Sequence, residues 1–568
     1  MPTIGDPGHP VAGGRAPGSR EASALAEVLL LPAQMAKTPP CCAGCPTGAD
    51  VRGWISVIAQ RRKLGLTDSE AFGRAWRMVT AVNPFPATLG RICPHPCESD
   101  CSRTGKDGAV AIRALERFIG DWGLEHHLEL PILEEGRQRE SIGVIGAGPA
   151  GLSFAYQIAR RGYPVTVYEK QDKPGGMLYY GIPQFRLPKD VLEAEVRRLL
   201  DLGIGLRLTT AIGGEEALRE LQERHAALFF GIGAARGLPL NIPGDEGAGL
   251  WTGTQYLDAL NRGKRVPLGE QVVVIGGGNT AIDAARCARR TGARVTIVYR
   301  RTSAEMPAIR REVEAAAAEG VDIQYLVAPA RIRRSGGIVR ALIAQRMRLA
   351  EADASGRRRC VPIPDSEFEL PADSVIAAVS RVADWSDFDK LDLHASPGRS
   401  QGAEPLGNGV WTGGDAVAPG IAGLAIAHGR QAAEAVHAHL RGLRPPAPAA
   451  HESVASIATV KADYYAAKER TPLPAQGVDA RLAQPEAEVE QTLSKEAFLE
   501  ELTRCFSCGL CFGCELCFTY CNVGGFTRLV QGQPGAYFAL SVDHCEGCRK
   551  CIEICPCGFL SAIPRPAG

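Results

Sequence analysis

Eleven cysteines lie close together near the carboxyl end of the chain, between Cys505 and Cys557. The last long run has the ligand spacing of a ferredoxin iron–sulfur cluster and reads Cys545-x2-Cys548-x2-Cys551-x3-Cys555-Pro556. Thiolates at this spacing hold clusters that carry single electrons. The sequence therefore predicts electron transfer as the chemistry of this region.

A second run of cysteines precedes the first, at three-residue intervals until a final interval of four: Cys505, Cys508, Cys511, Cys514, Cys517 and Cys521. In two-cluster ferredoxins the fourth cysteine of each run binds the other cluster. We therefore assign one [4Fe-4S] cluster to Cys511, Cys514, Cys517 and Cys555, and a second to Cys521, Cys545, Cys548 and Cys551. Structural zinc is the alternative for Cys505 and Cys508. Cys557 is expected to bind neither cluster.

A third group of cysteines lies near the amino end: Cys41, Cys42, Cys45, Cys93, Cys97 and Cys101. The two halves of this group can converge only if residues 51–82, which have helical composition, fold back. An iron–sulfur cluster is favoured here over zinc. His95 stands between two prolines and is interpreted as a loop residue.

Two glycine fingerprints predict dinucleotide sites. In the first, Gly146, Gly148 and Gly151 follow a short apolar stretch, and Glu169 ends the next one. The glycines allow a tight turn, close approach of a pyrophosphate and tight helix packing, while the acid accepts hydrogen bonds from a ribose. The acid disfavours a 2′-phosphate, so FAD or NAD is expected. Gly414-Asp415 further along favours FAD, with a simple helix cap as the alternative for Asp415.

The second fingerprint is Gly276-Gly277-Gly278-Asn279-Thr280-Ala281, and its following strand ends in Arg300-Arg301. Two guanidinium groups in place of an acid suit a 2′-phosphate and favour NADP(H) over NAD(H). The alternative is that the arginines form a solvated strand end. This segment lies between the two parts of the first site, which indicates one nucleotide domain inserted into another.

Composition narrows the function classes further. The net charge of +1 and the absence of a basic run argue against nucleic-acid binding. The cysteine clusters flank nucleotide motifs in a long chain, which fits a reducing cytoplasm better than a secreted disulfide scaffold. No signal peptide is evident, and the uncharged stretch 141–159 is broken by glycines and Pro149, so no membrane span is expected.

The predicted fold class is α/β, with two nested Rossmann-like domains between a helical iron–sulfur domain and a small α+β ferredoxin-like domain. The expected divisions are a flexible tail at 1–38, a helical iron–sulfur domain at 39–135, FAD-binding parts at 136–245 and 376–440, an NAD(P)H-binding domain at 246–375, a linker at 441–500 and a ferredoxin-like domain at 501–568.

Taken together, the motifs resemble the family of the small subunit of NADPH-dependent glutamate synthase, which also includes the electron-input half of dihydropyrimidine dehydrogenase. The residues that carry this resemblance are Cys45-Pro46-Thr47-Gly48, Asn83-Pro84-Phe85-Pro86, Gly90-Arg91-Ile92-Cys93-Pro94, Pro174-Gly175-Gly176-Met177-Leu178, Gly181-Ile182-Pro183 and Tyr299-Arg300-Arg301. Within this family, the glutamate synthase subunit itself lacks the ferredoxin-like tail that this chain has.

The resemblance implies a set of site residues. The cluster nearest the flavin would use Cys45, Cys93, Cys97 and Glu116, and Gly176-Met177 would belong to the FAD site. The family's second amino-terminal cluster needs a Cys-x2-Cys pair before Cys41, and residues 33–36 offer none. That cluster is expected to be lost, which would leave Cys41 and Cys101 without a role; the alternative is that Cys41 and Cys42 form a site that the pattern does not predict.

The resemblance also implies a function: an NAD(P)H-dependent FAD/iron–sulfur oxidoreductase subunit that exchanges electrons with a partner oxidoreductase or ferredoxin in a hetero-oligomeric complex. The protein's role in such a reaction is positioning, so no general acid or base is named. Two alternatives remain. One is a flavin-based electron-bifurcating subunit, and the other is a non-catalytic subunit that only conducts electrons within a larger complex and whose nucleotide sites are vestigial, here called a wiring subunit.

Overall fold

In the computed structural model the described residues are 30–134, 136–352, 358–391, 404–407, 409–444 and 453–565. The amino-terminal part is helical, and its helices are Pro40–Ala43, Val51–Ala59, Asp68–Thr80, Pro86–Ile92, Pro96–Ser99, Thr104–Asp107 and Ile112–Glu125. Thr67 and Glu70 form a capping box at the start of the third of these. Trp54 and Trp76 are almost fully buried between the helices.

Two glycines set the closest helix contact in this part. A Cβ atom on Gly90 would lie 2.3 Å from the Cα atom of Arg117, and one on Gly120 would lie 2.2 Å from the backbone nitrogen of Ala87. The helices Pro86–Ile92 and Ile112–Glu125 can therefore approach backbone to backbone only because these positions lack side chains. This contact places the end of the first helix, where Cys93 stands, beside the start of the second.

A six-stranded sheet follows, with the spatial order Glu404–Gly407, Val410–Thr412, Ala227–Phe230, Ile142–Ile145, Val165–Tyr168 and Gly205–Arg207. All neighbouring strands are parallel except the first pair. Its helices are Pro149–Ala159, Met177–Tyr180, Lys189–Leu200, Gly214–Arg224 and Ala422–Arg441, and short 3-10 turns lie at Ser386–Leu391 and Gly414–Ala416. The central strands are buried and apolar throughout, as expected for strands covered on both faces.

A second, parallel sheet has the order Asp322–Tyr325, Arg294–Tyr299, Gln271–Ile275, Ser374–Ala377 and Leu250–Thr252. Its helices are Gly253–Asn261, Asn279–Arg290 and Arg310–Ala318, with a 3-10 turn at Ser303–Glu305 and an antiparallel sheet of Val327–Ser335, Ile338–Ala352 and Arg358–Pro371. The chain crosses between the two large sheets at the paired segments Arg236–Gly237 and Arg381–Val382. The predicted boundary at 375/376 is wrong, because Ser374–Ala377 is hydrogen-bonded on both sides within the second sheet.

The carboxyl-terminal module contains helices Lys495–Leu502, Leu516–Thr519 and Lys550–Ile554 and a hairpin of Phe526–Gln533 and Ala536–Leu540. Its last strand, Leu560–Pro564, pairs antiparallel with Leu30–Gln34. The predicted flexible tail is therefore wrong for residues 30–38, because this edge strand gains a partner and buries Leu31. Residues 1–29 lie outside the described part of the chain.

The predicted linker also differs from expectation. Residues 453–494, here called the strap, run across the helical part and contain short helical segments at Ile457–Thr459, Ala462–Tyr464 and Val478–Ala483. Glu488 pairs with Arg117 at 3.0 Å, and the amide of Val489 donates to the carbonyl of Phe185 at 3.0 Å. Because Arg117 is almost fully buried, the strap supplies its counter-charge and cannot be a free linker. Residues 445–452 lie outside the described part.

Candidate functional site

The first glycine turn lies between the strand Ile142–Ile145 and the helix Pro149–Ala159. Gly146 has φ +100°, a left-handed conformation that favours glycine. A Cβ atom on Gly151 would lie 1.9 Å from the carbonyl oxygen of Gly146, whereas one on Gly148 would meet no atom within 4 Å. Gly151 therefore allows tight helix packing, and Gly148 leaves open space at the helix start, where a phosphate group fits.

Glu169 follows the neighbouring strand and is buried. Its carboxylate accepts hydrogen bonds from the amide of Ala147 at 2.7 Å and from the amide of Gln171 at 2.9 Å. The acid is thus fixed beside the glycine turn. Gly176-Met177 begins a short helix at the same place, since a Cβ atom on Gly176 would lie 2.9 Å from the Cα atom of Gly148.

Gly414-Asp415 lies next to the first glycine turn. A Cβ atom on Gly414 would lie 2.8 Å from the Cβ atom of Ala150 in the following helix. The Asp415 carboxylate pairs with Arg381 at 2.7 Å and accepts from the amide of Gly420 at 3.0 Å, and burial raises its pKa. The cap position of the helix Ala422–Arg441 is occupied by Ile421 and not by Asp415.

The second glycine turn repeats the first. Gly276 has φ +143°, and a Cβ atom there would lie 2.3 Å from the carbonyl oxygen of Ala378, while a Cβ atom on Gly278 would meet nothing within 4 Å. The side-chain oxygen of Asn279 accepts from the amide of Ile309 at 2.9 Å. Thr280 packs its methyl group toward Gly253.

A large cavity connects the second turn with the loop that holds Asp415. It encloses about 2050 Å³ of space outside the protein atoms, part of it open to solvent, and its wall includes residues 276–280, Arg300, Arg301, Arg381 and Gly420. Within the described residues neither Arg300 nor Arg301 has a carboxylate partner, and the Nε atom of Arg301 is buried without a hydrogen bond. Both guanidinium groups are therefore available to an anionic ligand in this cavity.

The amino-terminal ligand candidates come together at the close helix contact. Burial raises the pKa of the Cys97 thiol, and the charges of Cys45 and Glu116 beside it raise it further. The amide of His95 donates to the sulfur of Cys93 at 3.4 Å. Cys45, Cys93, Cys97 and Glu116, which are distant in sequence, thus form one group.

Two side chains that sequence reasoning did not assign hold Glu116 in place. The amide group of Asn83 donates to one carboxylate oxygen at 2.8 Å, and the Nε2 atom of His95 lies 3.2 Å from the other. The Nδ1 atom of His95 faces the carbonyl of Cys93 at 2.6 Å, so both ring nitrogens face acceptors. Although burial opposes its charge, Cys93 and Glu116 raise the pKa of His95 to about 10. The sequence signal that could have identified Asn83 was its place in the motif Asn83-Pro84-Phe85-Pro86.

The carboxyl-terminal cysteines lie at two places in the fold. Cys511, Cys514, Cys517 and Cys555 line one cavity together with Cys557. In the second group, burial raises the pKa of Cys551 to about 11, and the nearby charges of Cys548 and Cys521 add to this effect. Cys548 is exposed at the protein surface.

Another cavity is lined by Cys41, Cys101, Cys505 and Cys508. Cys42 is not among the residues that line it; its sulfur contacts the carboxylate of Asp50 at 3.4 Å and also the thiol of Cys41. Among the described residues, no three His, Cys, Asp or Glu side chains converge closely enough to hold a single metal ion. Within the same residues, no helix is long and apolar enough to cross a lipid bilayer.

Two family models match the chain. The pyridine nucleotide-disulphide oxidoreductase model matches residues 140–429, and the model of dihydropyrimidine dehydrogenase domain II, a 4Fe-4S domain, matches residues 33–128. These matches cover the two sheets and the helical part.

Curated relatives are similar over much of the chain. The NADP(+)-dependent formate dehydrogenase subunit beta of Moorella thermoacetica is 36% identical over 71% of this chain and 60% of its own length. The NADPH-Fe(3+) oxidoreductase subunit beta of Geobacter sulfurreducens is 36% identical over 61% of this chain and 52% of its own length. The chain thus matches between half and two thirds of the length of these two relatives.

The glutamate synthase [NADPH] small chain of Azospirillum brasilense is 33% identical over 71% of this chain and 86% of its own length. That match covers nearly the whole relative, and the family model covers half of this chain. The resemblance predicted from the motifs is confirmed: the chain belongs to the pyridine nucleotide-disulphide oxidoreductase family, among the glutamate synthase small chains and related NADPH-dependent FAD/iron–sulfur oxidoreductase subunits.

Proposed function

We propose that this chain is an NADPH-dependent FAD/iron–sulfur oxidoreductase subunit that exchanges electrons between NADP(H) and a partner oxidoreductase or ferredoxin. The observation that carries the proposal is the cavity whose wall extends from Arg300 and Arg301, which have no carboxylate partner among the described residues, to Arg381, the partner of Asp415. Because Gly414, the neighbour of Asp415, packs on the helix after the first turn, a nicotinamide held at the second turn would lie toward a flavin held at the first.

The residues at the first glycine turn fit FAD. The open space beside Gly148 and the amides at the start of the helix suit the pyrophosphate. Glu169, already oriented by two amides, would accept from a ribose hydroxyl, and Asp415 would face the ribityl chain. Bound FAD supplies the conversion between hydride transfer and single-electron transfer.

The residues at the second turn fit NADPH. Gly278 leaves open space for the pyrophosphate, as Gly148 does at the first turn. Arg300 and Arg301 supply two cations at the end of the strand, where a 2′-phosphate would lie. Binding and orientation are the tasks of these side chains.

Three groups of side chains would hold [4Fe-4S] clusters: Cys45, Cys93, Cys97 and Glu116; Cys511, Cys514, Cys517 and Cys555; and Cys521, Cys545, Cys548 and Cys551. A carboxylate in the first group would shift the potential relative to four thiolates. His95 and Asn83 fix the orientation of that carboxylate.

We place the contact with the partner on the carboxyl-terminal module. Cys548 is exposed there, and so are the apolar side chains of Phe518, Tyr520, Val523, Leu529 and Val530. Exposed apolar side chains in a module that would hold two clusters suit docking of another redox protein. Val530→Asp should slow reduction of an added ferredoxin while leaving flavin reduction by NADPH unchanged.

The proposed function is tested by anaerobic titration of the purified chain with NADPH and, separately, NADH, following flavin and cluster absorbance. NADPH should reduce both chromophores at far lower concentration than NADH. Each charge-assisted hydrogen bond contributes about 1.5–3 kcal/mol, so Arg301→Gln should weaken NADPH binding roughly ten- to hundredfold and leave NADH unaffected.

Arg294→Gln is the matched control, because Arg294 stands at the other end of the same strand and is 72% exposed. It should titrate like the unmodified chain. Equal use of NADH and NADPH would contradict the coenzyme assignment, and a flavin that neither nucleotide reduces would indicate a wiring subunit.

A further inference from the structure

Four of the cysteines that have no role in the proposed function line one cavity between the helical part and the carboxyl-terminal segment: Cys41, Cys101, Cys505 and Cys508. This cavity contains about 390 Å³ of space outside the protein atoms, part of it open to solvent, and the cavity among Cys511, Cys514, Cys517 and Cys555 is of similar size. Two cavities of similar size, each lined by at least four cysteines, suit the same kind of occupant.

The backbone around Cys505-x2-Cys508 repeats that of the two ferredoxin-type loops. In all three loops the residue before the second cysteine and the residue after it have positive φ: Ser507 (+52°) and Gly509 (+69°), Gly513 (+68°) and Glu515 (+69°), Gly547 (+71°) and Arg549 (+59°). Positive φ is costly for a serine, so the fold maintains this loop shape against local preference. The amide of Ser507 also donates to the sulfur of Cys505 at 3.4 Å, as the amide of His95 does to Cys93.

Buried arginines hold the two sides of this cavity together. The Nη1 atom of Arg52 donates to the carbonyls of Lys37 and Cys508, each at 2.6 Å. Arg103 follows Cys101 by two residues, donates to the carbonyl of Arg504 at 2.5 Å and stacks on Phe506. The charge of Arg52 on the cavity wall favours an occupant with anionic thiolate ligands, whereas the charge of Arg103 is paired with Asp107.

We propose that Cys41, Cys101, Cys505 and Cys508 bind a fourth [4Fe-4S] cluster, with two ligands from each end of the chain. This inference rests on the proposed function. The Cys-x2-Cys pair that residues 33–36 do not supply would come from the carboxyl-terminal segment, so the expectation that this cluster is lost would not hold.

The position of these cysteines gives the site a role. Cys41 lies four residues before Cys45, Cys101 lies four residues after Cys97, and Cys508 lies three residues before Cys511. The site therefore lies between the amino-terminal group and the ferredoxin-type groups. A cluster held there supplies a relay that takes up one electron and passes on one electron, with no net change in its thiolates.

The test is the iron, acid-labile sulfide and zinc content of the full chain, purified anaerobically. Each cluster contains four irons, so the unmodified chain should hold about sixteen irons and Cys505→Ser about twelve. Cys101→Ser, on the opposite wall, should lose the same four irons and four sulfides. Cys287→Ser is the matched control and should lose none, because Cys287 lies in the helix Asn279–Arg290 and lines neither cysteine cavity.

Flavin content and flavin bleaching by NADPH serve as the check on folding, and should be equal in all four proteins. About twelve irons in the unmodified chain, with no loss in Cys505→Ser, would overturn the fourth cluster and leave the proposed function intact. Twelve irons with one zinc that Cys505→Ser removes would replace the cluster by a structural zinc. A flavin that NADPH does not reduce would instead refute the proposed function, whatever the iron content.

Discussion

Glu501 provides a sharp test of how the carboxyl-terminal segment is attached to the helical part. Its side chain is fully buried, and its carboxylate accepts from the amides of Ala111 and Thr471, each at 2.8 Å, and from Arg504 at 2.7 Å. Glu501→Gln would turn an NH₂ group toward at least one of these donors. It would also remove the negative charge that pairs with the buried Arg504 guanidinium. Disrupting a buried ion pair of this kind costs about 3 kcal/mol or more.

That cost has a local consequence, because Ala111 immediately precedes the helix that contains Glu116. A loss of about 3 kcal/mol should raise hydrogen exchange in a peptide covering residues 109–120 roughly a hundredfold, since each 1.4 kcal/mol is a factor of ten. Exchange is measured by mass spectrometry on the cluster-loaded chain.

Glu500→Gln is the control. Glu500 is the adjacent residue, is 62% exposed and pairs only with Lys468 in the described ion pairs, so its loss should change exchange by less than about threefold. If Glu501→Gln exchanges at the rate of Glu500→Gln, the buried carboxylate does not hold the two regions together and our reasoning is wrong.

Three further changes test other parts of the fold. Gly90→Ala would place a Cβ atom 2.3 Å from the Cα atom of Arg117, so we expect a loss of about 1–3 kcal/mol in a urea titration, whereas Gly105→Ala, which meets no atom within 4 Å, should lose none. Gly151→Ala would place a Cβ atom 1.9 Å from a carbonyl oxygen, and the purified chain should retain less flavin per polypeptide than the unmodified chain. Burial lowers the pKa of Lys189 to about 7 in the folded chain. Above that pH the folded chain has lost the proton on Lys189, whereas the unfolded chain still holds it. Stability should therefore rise between pH 7 and pH 10, and Lys189→Met should flatten that rise; an unchanged slope would contradict the assignment.

The predictions that local chemistry controls were the most accurate. Gly151 had to be small because a helix packs on the turn, and a Cβ atom there would collide with the carbonyl of Gly146. Arg300 and Arg301 were placed at a strand end by the apolar run before them, and they stand on a cavity wall. Turn geometry and strand period act over a few residues, so the amino-acid order specifies them directly.

The boundaries of the parts were less predictable. The polar, proline-rich composition of residues 441–500 indicated a linker, yet Glu488 neutralises a buried arginine of the helical part. Leu30–Gln34 looked like the end of a tail, and it completes the edge of the last strand. In both cases the deciding partner is hundreds of residues away, and composition alone does not identify it.

The sequence by itself determined the family, the two nucleotide turns and the runs of cysteine that suit iron–sulfur clusters, because each depends on spacing within a short segment. Only the tertiary structure brought Cys41 and Cys101 into one cavity with Cys505 and Cys508. Cys41 and Cys505 are more than four hundred residues apart, and they meet because Arg52 and Arg103 hold the two ends of the chain together. Such long-range contacts follow from burial and charge pairing across the whole fold, which no local spacing encodes.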